Sequence, residues 1–122
     1  MYVTTITIGR NVTSTPGINE DPVQVPMPDE RWSAFKVAAA ALLTEAVIKT
    51  QKADGVVAPF YYEQHSGIGV WDGVEEESFK ITTLSDQPMT YRAWLRDELG
   101  DLAPQFDQLA IALTVGESEL CY

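Results

Sequence analysis

Residues 76–84 read EESFKITTL, and this stretch decides the fold. Phe79, Ile81 and Thr83 alternate with Ser78, Lys80 and Thr82, the pattern of a strand with one covered face and one open face. Upstream, residues 56–65 (VVAPFYYEQH) form another strand-like run, weakened by Pro59, which fits an edge position or a bulge. Ser66-Gly67-Ile68-Gly69 reads as a turn or kink, after which Val70-Trp71 resumes the strand and Asp72-Gly73 breaks it. Two strands thus follow each other directly, and their flanks set the architecture.

Both flanks read as helical. Pro28-Asp29-Glu30 opens the first helix, because proline fits a first turn and two carboxylates suit the positive end of the helix dipole. Trp32, Phe35, Ala39, Leu42, Leu43, Ala46 and Val47 recur at three- and four-residue spacing, with Lys36, Glu45 and Lys49 outside the stripe. A helix from Asp29 to Lys49 follows, closed by Asp54-Gly55. On the other side, Ser85-Asp86-Gln87-Pro88 ends the strand and Thr90 is placed to cap a second helix. Its stripe is Tyr91, Trp94, Leu95, Leu99, Leu102 and Phe106, and Gly100 and Pro104 predict a kink or an early end near Ala103.

Farther out, residues 2–8 (YVTTITI) read as the first strand and Leu109–Val115 (LAIALTV) as the fourth. The fourth is the more uniformly apolar, which predicts a more central place. Residues 11–28, with four prolines, read as a long loop holding a short extended piece at Val23–Val25. The order βαββαβ predicts an α+β, ferredoxin-like single domain over residues 1–122, with two helices on one face of a four-stranded antiparallel sheet. Right-handed crossovers put the first and third strands at the centre and the other two outside, at odds with the apolar fourth strand. Trp32, Phe35, Leu42, Trp94, Leu95 and Leu99 are the expected core. The uncovered sheet face or an edge strand predicts a homodimer.

Composition narrows the function. The chain of 122 residues carries 18 acidic and 8 basic side chains, a formal net charge of −10. Capture of nucleic acid needs a basic face, so direct nucleic-acid binding is not expected. No apolar stretch approaches the roughly 20 residues of a membrane span, and MYVTTITIGR does not read as a secretory leader. The one cysteine, Cys121, reads as a bystander thiol. A cytoplasmic protein without cofactor or metal is the expectation.

Four stretches carry a resemblance: ITIGRNV (6–12), PDERWSAF (28–35), GIGVWDGVEEES (67–78) and QLAIALTVGES (108–118). Together they resemble small uncharacterised proteins encoded by actinobacterial phages and prophages. That group has no established activity, so the resemblance implies a context inside a bacterial host and no catalytic residue.

Two groups of residues are candidates for function. Asp72, Glu75, Glu76 and Glu77 form the densest acidic cluster, beside Trp71. Their spacing does not match an EF-hand calcium loop, and a solvated face is the plain reading. The sharper reading is an interaction surface that docks on a basic partner. The second group is a pocket on the open sheet face. His65, the only histidine, stands two residues from Glu63 and so shares its face, where a carboxylate holding an imidazole makes a general base. Trp71 is its aromatic wall and Arg10 its anion-binding fork, although an isolated Arg among so many acids more often pairs with one of them. Gly67-x-Gly69 and Gly73 lack the GK[ST] of a phosphate loop.

The favoured expectation is a small acidic phage or mobile-element protein that binds and modulates a host or defence protein without catalysis of its own. The alternative is a ferredoxin-like small-ligand-binding protein or cofactor-free enzyme, and a further alternative is a virion structural component.

Overall fold

In the computed structural model the chain runs β1 (Tyr2–Gly9), β2 (Asn11–Ser14), β3 (Val23–Pro26), α1 (Asp29–Asp54), β4 (Tyr61–Trp71), β5 (Val74–Ser85), α2 (Arg92–Gln105) and β6 (Ala112–Glu117). It describes residues 1–15, 17–56, 58–119 and 121. Pro16 of the expected loop and Val57 of the expected second strand lie outside the described residues.

The sheet has the order β4-β5-β1-β6, every neighbouring pair antiparallel. This is the split βαβ arrangement expected from the element order, with the first and third main strands at the centre. Alternation sorts the two faces. Thr4, Ile6 and Ile8 of β1 pair with Thr83, Ile81 and Phe79 of β5, and all six are buried on the helix side. Val3, Thr5 and Thr7 pair with Leu84, Thr82 and Lys80 on the other side, which no helix covers. Thr5 Oγ1 and Thr82 Oγ1 lie 3.0 Å apart there, a cross-strand hydroxyl pair of the kind that stabilises sheets.

α1 supplies most of the covering layer through Trp32, Phe35, Ala39, Leu43, Ala46 and Val47. It runs past the expected end at Lys49 to Asp54. Gly55 stops it with φ 69°, while Val56 N–H and Gly55 N–H return to the carbonyls of Gln51 and Lys52. That paired return satisfies the last carbonyls and needs a residue free to adopt positive φ. α2 adds Leu95, Leu99 and Leu102. Of the expected core, Leu42 and Trp94 are only half-buried, at the margin of the cluster.

Several expectations are corrected. Thr90 is not the cap of α2, which follows Tyr91 without a side-chain cap. β4 begins at Tyr61, after Pro59, and runs unbroken through Gly67 and Gly69 with no bulge against β5. Pairing with β5 along its whole length holds the glycines in extended backbone. The reversal falls instead at Asp72-Gly73, φ 50° and 76°, a tight two-residue turn. The fourth main strand, β6, is an edge strand paired with β1 alone. Its apolar look reflects only Leu113 and the preceding Ile111, which touch the core, while Leu109 is fully exposed. Within the proline-rich segment, Asn11–Ser14 pairs with Val23–Pro26 as a small separate hairpin. Among the described residues, no helix is long and apolar enough to cross a membrane.

Candidate functional site

The hairpin end of the open sheet face holds a cleft of about 540 Å³. That volume suits a small molecule, since ligand pockets run to roughly 300–1,000 Å³. Its floor is the row Glu76, Ser78 and Lys80, which share the open face of β5 because they are two residues apart. Thr7 and Gly9 of β1 continue the floor, and Asn11, Thr13 and Gln24 of the β2–β3 hairpin form one wall. The other wall is the chain from Asp107 to Ala112, and Trp71, largely exposed, stands at the mouth. Two anchors fix the second wall: Gln108 Nε2 donates to the Asn11 carbonyl at 2.9 Å, and Arg31 pairs with Asp107 at 3.0 Å.

Glu76 is held in a set position. Gly9 has no side chain, and a Cβ there would run into the Glu76 carboxyl group. The carboxylate therefore lies across the end of β1, where Asn11 N–H donates to Oε2 at 2.9 Å. Among the described residues, Oε1 has no donor. The cleft thus contains a fixed carboxylate, a hydroxyl and an ammonium in one row, with Trp71, Leu109 and Ile111 as apolar neighbours. Such a lining suits a small molecule carrying both charges and an apolar part.

The acidic cluster is not one face. Glu75 and Glu77 point to the helix side of β5 and Glu76 to the open side, while Asp72 sits in the turn. Glu77 is taken up by Arg10, whose Nη1 reaches its Oε2 at 2.6 Å. Arg10 also donates through Nη2 to Asp29 at 2.5 Å and through Nε to the Met27 carbonyl at 2.8 Å. These two carboxylates raise the guanidinium pKa above its usual value, Glu77 foremost. Arg10 therefore ties β1, β5 and the start of α1 together on the helix side, away from the open face. The expected pocket of Glu63, His65, Arg10 and Trp71 does not form as one site, and only Trp71 lines the cleft.

Glu63 and His65 do meet. His65 Nε2 lies 3.1 Å from Glu63 Oε1, and Tyr61 Oη donates to Glu63 Oε2 at 3.0 Å. The hydrogen bonds from Tyr61 and then His65 lower the Glu63 pKa below the ordinary glutamate value, and Glu63 raises that of Tyr61. A carboxyl group with a depressed folded-state pKa contributes stability above its unfolded pKa and loses that contribution as pH falls through the folded value. An NMR titration of the Glu63 carboxyl carbon is expected to show a midpoint below that of a free glutamate. Tyr61→Phe is expected to move it upward; an unchanged midpoint would count against the Tyr61 bond.

The cleft itself is not legible in the sequence. Its floor follows from the alternation of Ser78 and Lys80 against Phe79 and Ile81, which extends back to Glu76. The facing segments, Asn11, Gln24 and Gln108, carry no local pattern that brings them there.

No family model matches the chain, and no curated protein does. Among solved structures, a phage SAM lyase in its apo state is similar with a TM-score of 0.43 at 15% identity, over 94% of this chain and 78% of that one. A likeness at that level assigns no reaction or substrate to this chain. The expectation of a non-catalytic modulator of a host or defence protein is withdrawn on the chain's own geometry: the acidic patch it relied on is split between two faces and partly neutralised by Arg10.

Proposed function

We propose that the chain is a small enzyme acting on a zwitterionic small molecule in the Glu76–Ser78–Lys80 cleft, encoded by an actinobacterial phage or prophage and working in the host cytoplasm. The observation that carries this reading is Glu76, fixed over Gly9 by the Asn11 N–H with one carboxylate oxygen left for a ligand. A charge held in place before the ligand arrives needs no reorganisation, which is how sites stabilise developing positive charge. In this reading Glu76 Oε1 meets the cationic part of the substrate and accepts a proton from an acidic N–H or C–H beside it. Lys80 holds the anionic part, Ser78 donates between them, and Trp71 and Leu109 cover the apolar remainder.

The test is binding and turnover with a panel of amino acids and their onium derivatives, SAM included as the compound in the neighbour's description. The NMR indole signal of Trp71 reports occupancy, and mass spectrometry reports product. At least one compound is expected to bind and be converted. Glu76→Gln is expected to weaken its binding by about tenfold to a hundredfold, the worth of a hydrogen bond to a charged group. No binding across the panel, binding without conversion, or an affinity that Glu76→Gln leaves unchanged would overturn the reading.

A further inference from the structure

β4 leaves the sheet with an unpaired edge eleven residues long. Exposed edges are normally blunted by lysine, proline, a bulge or a short length. β4 (YYEQHSGIGVW) has none of these: no lysine, no proline, and an unbroken register against β5. The opposite edge, β6, is only six residues long. Along β4, Tyr61, Ile68, Val70 and Trp71 are all largely exposed. The protein is otherwise strongly acidic, yet this edge carries a single carboxylate, Glu63.

We infer that β4 pairs antiparallel with β4 of a second copy, centred on Ser66, to make one continuous sheet. Full overlap of the strand with itself puts Tyr61 opposite the partner's Trp71, Glu63 opposite the partner's Gly69 and His65 opposite the partner's Gly67. The self-complementarity is both steric and electrostatic. Tyr61 meets an aromatic, Glu63 and His65 meet glycines, Tyr62 meets the partner's Val70, Ile68 meets the partner's Gln64, and no like charges face each other. Aromatic cross-strand pairs are among those that stabilise sheets, and like charges directly opposite are among those that destabilise them. Strand addition of this kind draws its affinity from the main-chain hydrogen bonds and its register from the side chains.

The pairing also alters the cleft, a consequence that rests on the function proposed above. Gly69 lines the cleft and pairs with Glu76 on its other side. The partner's Glu63 then lies on the same open-face row as Glu76, separated by a residue with no side chain. Each cleft gains a second carboxylate from the other copy, and the cationic end of the substrate lies between the two.

Sedimentation at micromolar concentration tests the pairing without any ligand. The expected mass is twice 13.5 kDa. A Cβ at Gly69 meets nothing within 4 Å, so a side chain fits there without a clash. The carboxylate of Gly69→Glu also faces Glu76 of its own protomer, a repulsion present in monomer and dimer alike and so absent from the dimer Kd. Gly69→Glu sets two like-charge pairs across the junction and is expected to raise the dimer Kd by about tenfold. Gly69→Lys faces Glu63 with an opposite charge and is expected to hold or tighten the dimer, and Glu63→Lys combined with Gly69→Glu to restore it. A monomer, a trimer, or a dimer on which Gly69→Glu and Gly69→Lys act alike would overturn the inference. A dimer that binds no zwitterion would leave it standing and remove only the function proposed above.

Discussion

Replacing Phe35 by alanine is expected to destabilise the protein by about 3–5 kcal/mol, the usual cost of removing a fully buried aromatic ring. Phe35 has no exposed surface. Its ring stacks on Phe106 at 4.7 Å between centroids and meets Trp32 edge-on at 6.2 Å, so the substitution removes two aromatic contacts and opens a void between α1 and the end of α2. The neighbours cannot close that void, because the sheet beneath is fixed by pairing on both sides of β1. Domains of this size are stable by about 5–15 kcal/mol, so a large part of the total goes. Urea unfolding should show the midpoint falling with little change in slope. Val37→Ala, on the exposed face of the same helix, is the control and should cost less than about 0.5 kcal/mol. A Phe35→Ala loss under about 1 kcal/mol would mean the core is not organised around this ring.

Gly9→Val is expected to abolish ligand binding while leaving the fold standing. The backbone at Gly9 is ordinary strand, where valine is well accommodated. What a side chain there displaces is the Glu76 carboxyl group, the far end of a flexible chain that swings away at small cost. The swing breaks the Asn11 N–H bond and takes the fixed charge out of the cleft, and the branched side chain occupies the floor in its place. Binding of any zwitterion found by the panel should weaken by about a hundredfold or more, from the lost charged contact and the lost space together. The melting temperature should stay within a few degrees of the parent. Binding that survives Gly9→Val would show that Glu76 is not the residue the ligand meets.

What is legible in the sequence is what alternation and helical spacing encode. Ile6 and Ile8, or Phe79 and Ile81, repeat every second residue because one sheet face is covered, and α1 repeats every third and fourth because one stripe is. The edge place of β6 is hidden because an apolar run reports composition and not what lies beside it. Ile111 and Leu113 touch the core while Leu109 meets water. Asn11–Ser14 gives no strand signal because its partner, Val23–Pro26, lies across a loop and neither piece is long enough to show a period. Glu63 with His65 is readable, being two residues apart on one strand. The direction of Arg10 is not, since it depends on Met27, Asp29 and Glu77 arriving from other segments. The cleft has the same character: Glu76, Asn11 and Gln108 come together only through the tertiary fold.

The central place of β1 has a consequence in time. Its neighbours on either side come from far along the chain; Thr5 meets Thr82 across a separation of 77 residues. The β4–β5 hairpin and α1 contain their own hydrogen bonds and are free to form within microseconds, as local elements do. β1 precedes both of its flanking strands in the chain and has to wait for them, because β5 and β6 are synthesised well after it. The closure of these long loops, not the formation of any helix, sets the pace of folding. During that wait the threonine- and isoleucine-rich β1 has both edges open, and it is the segment a nascent chain most needs to keep from its neighbours.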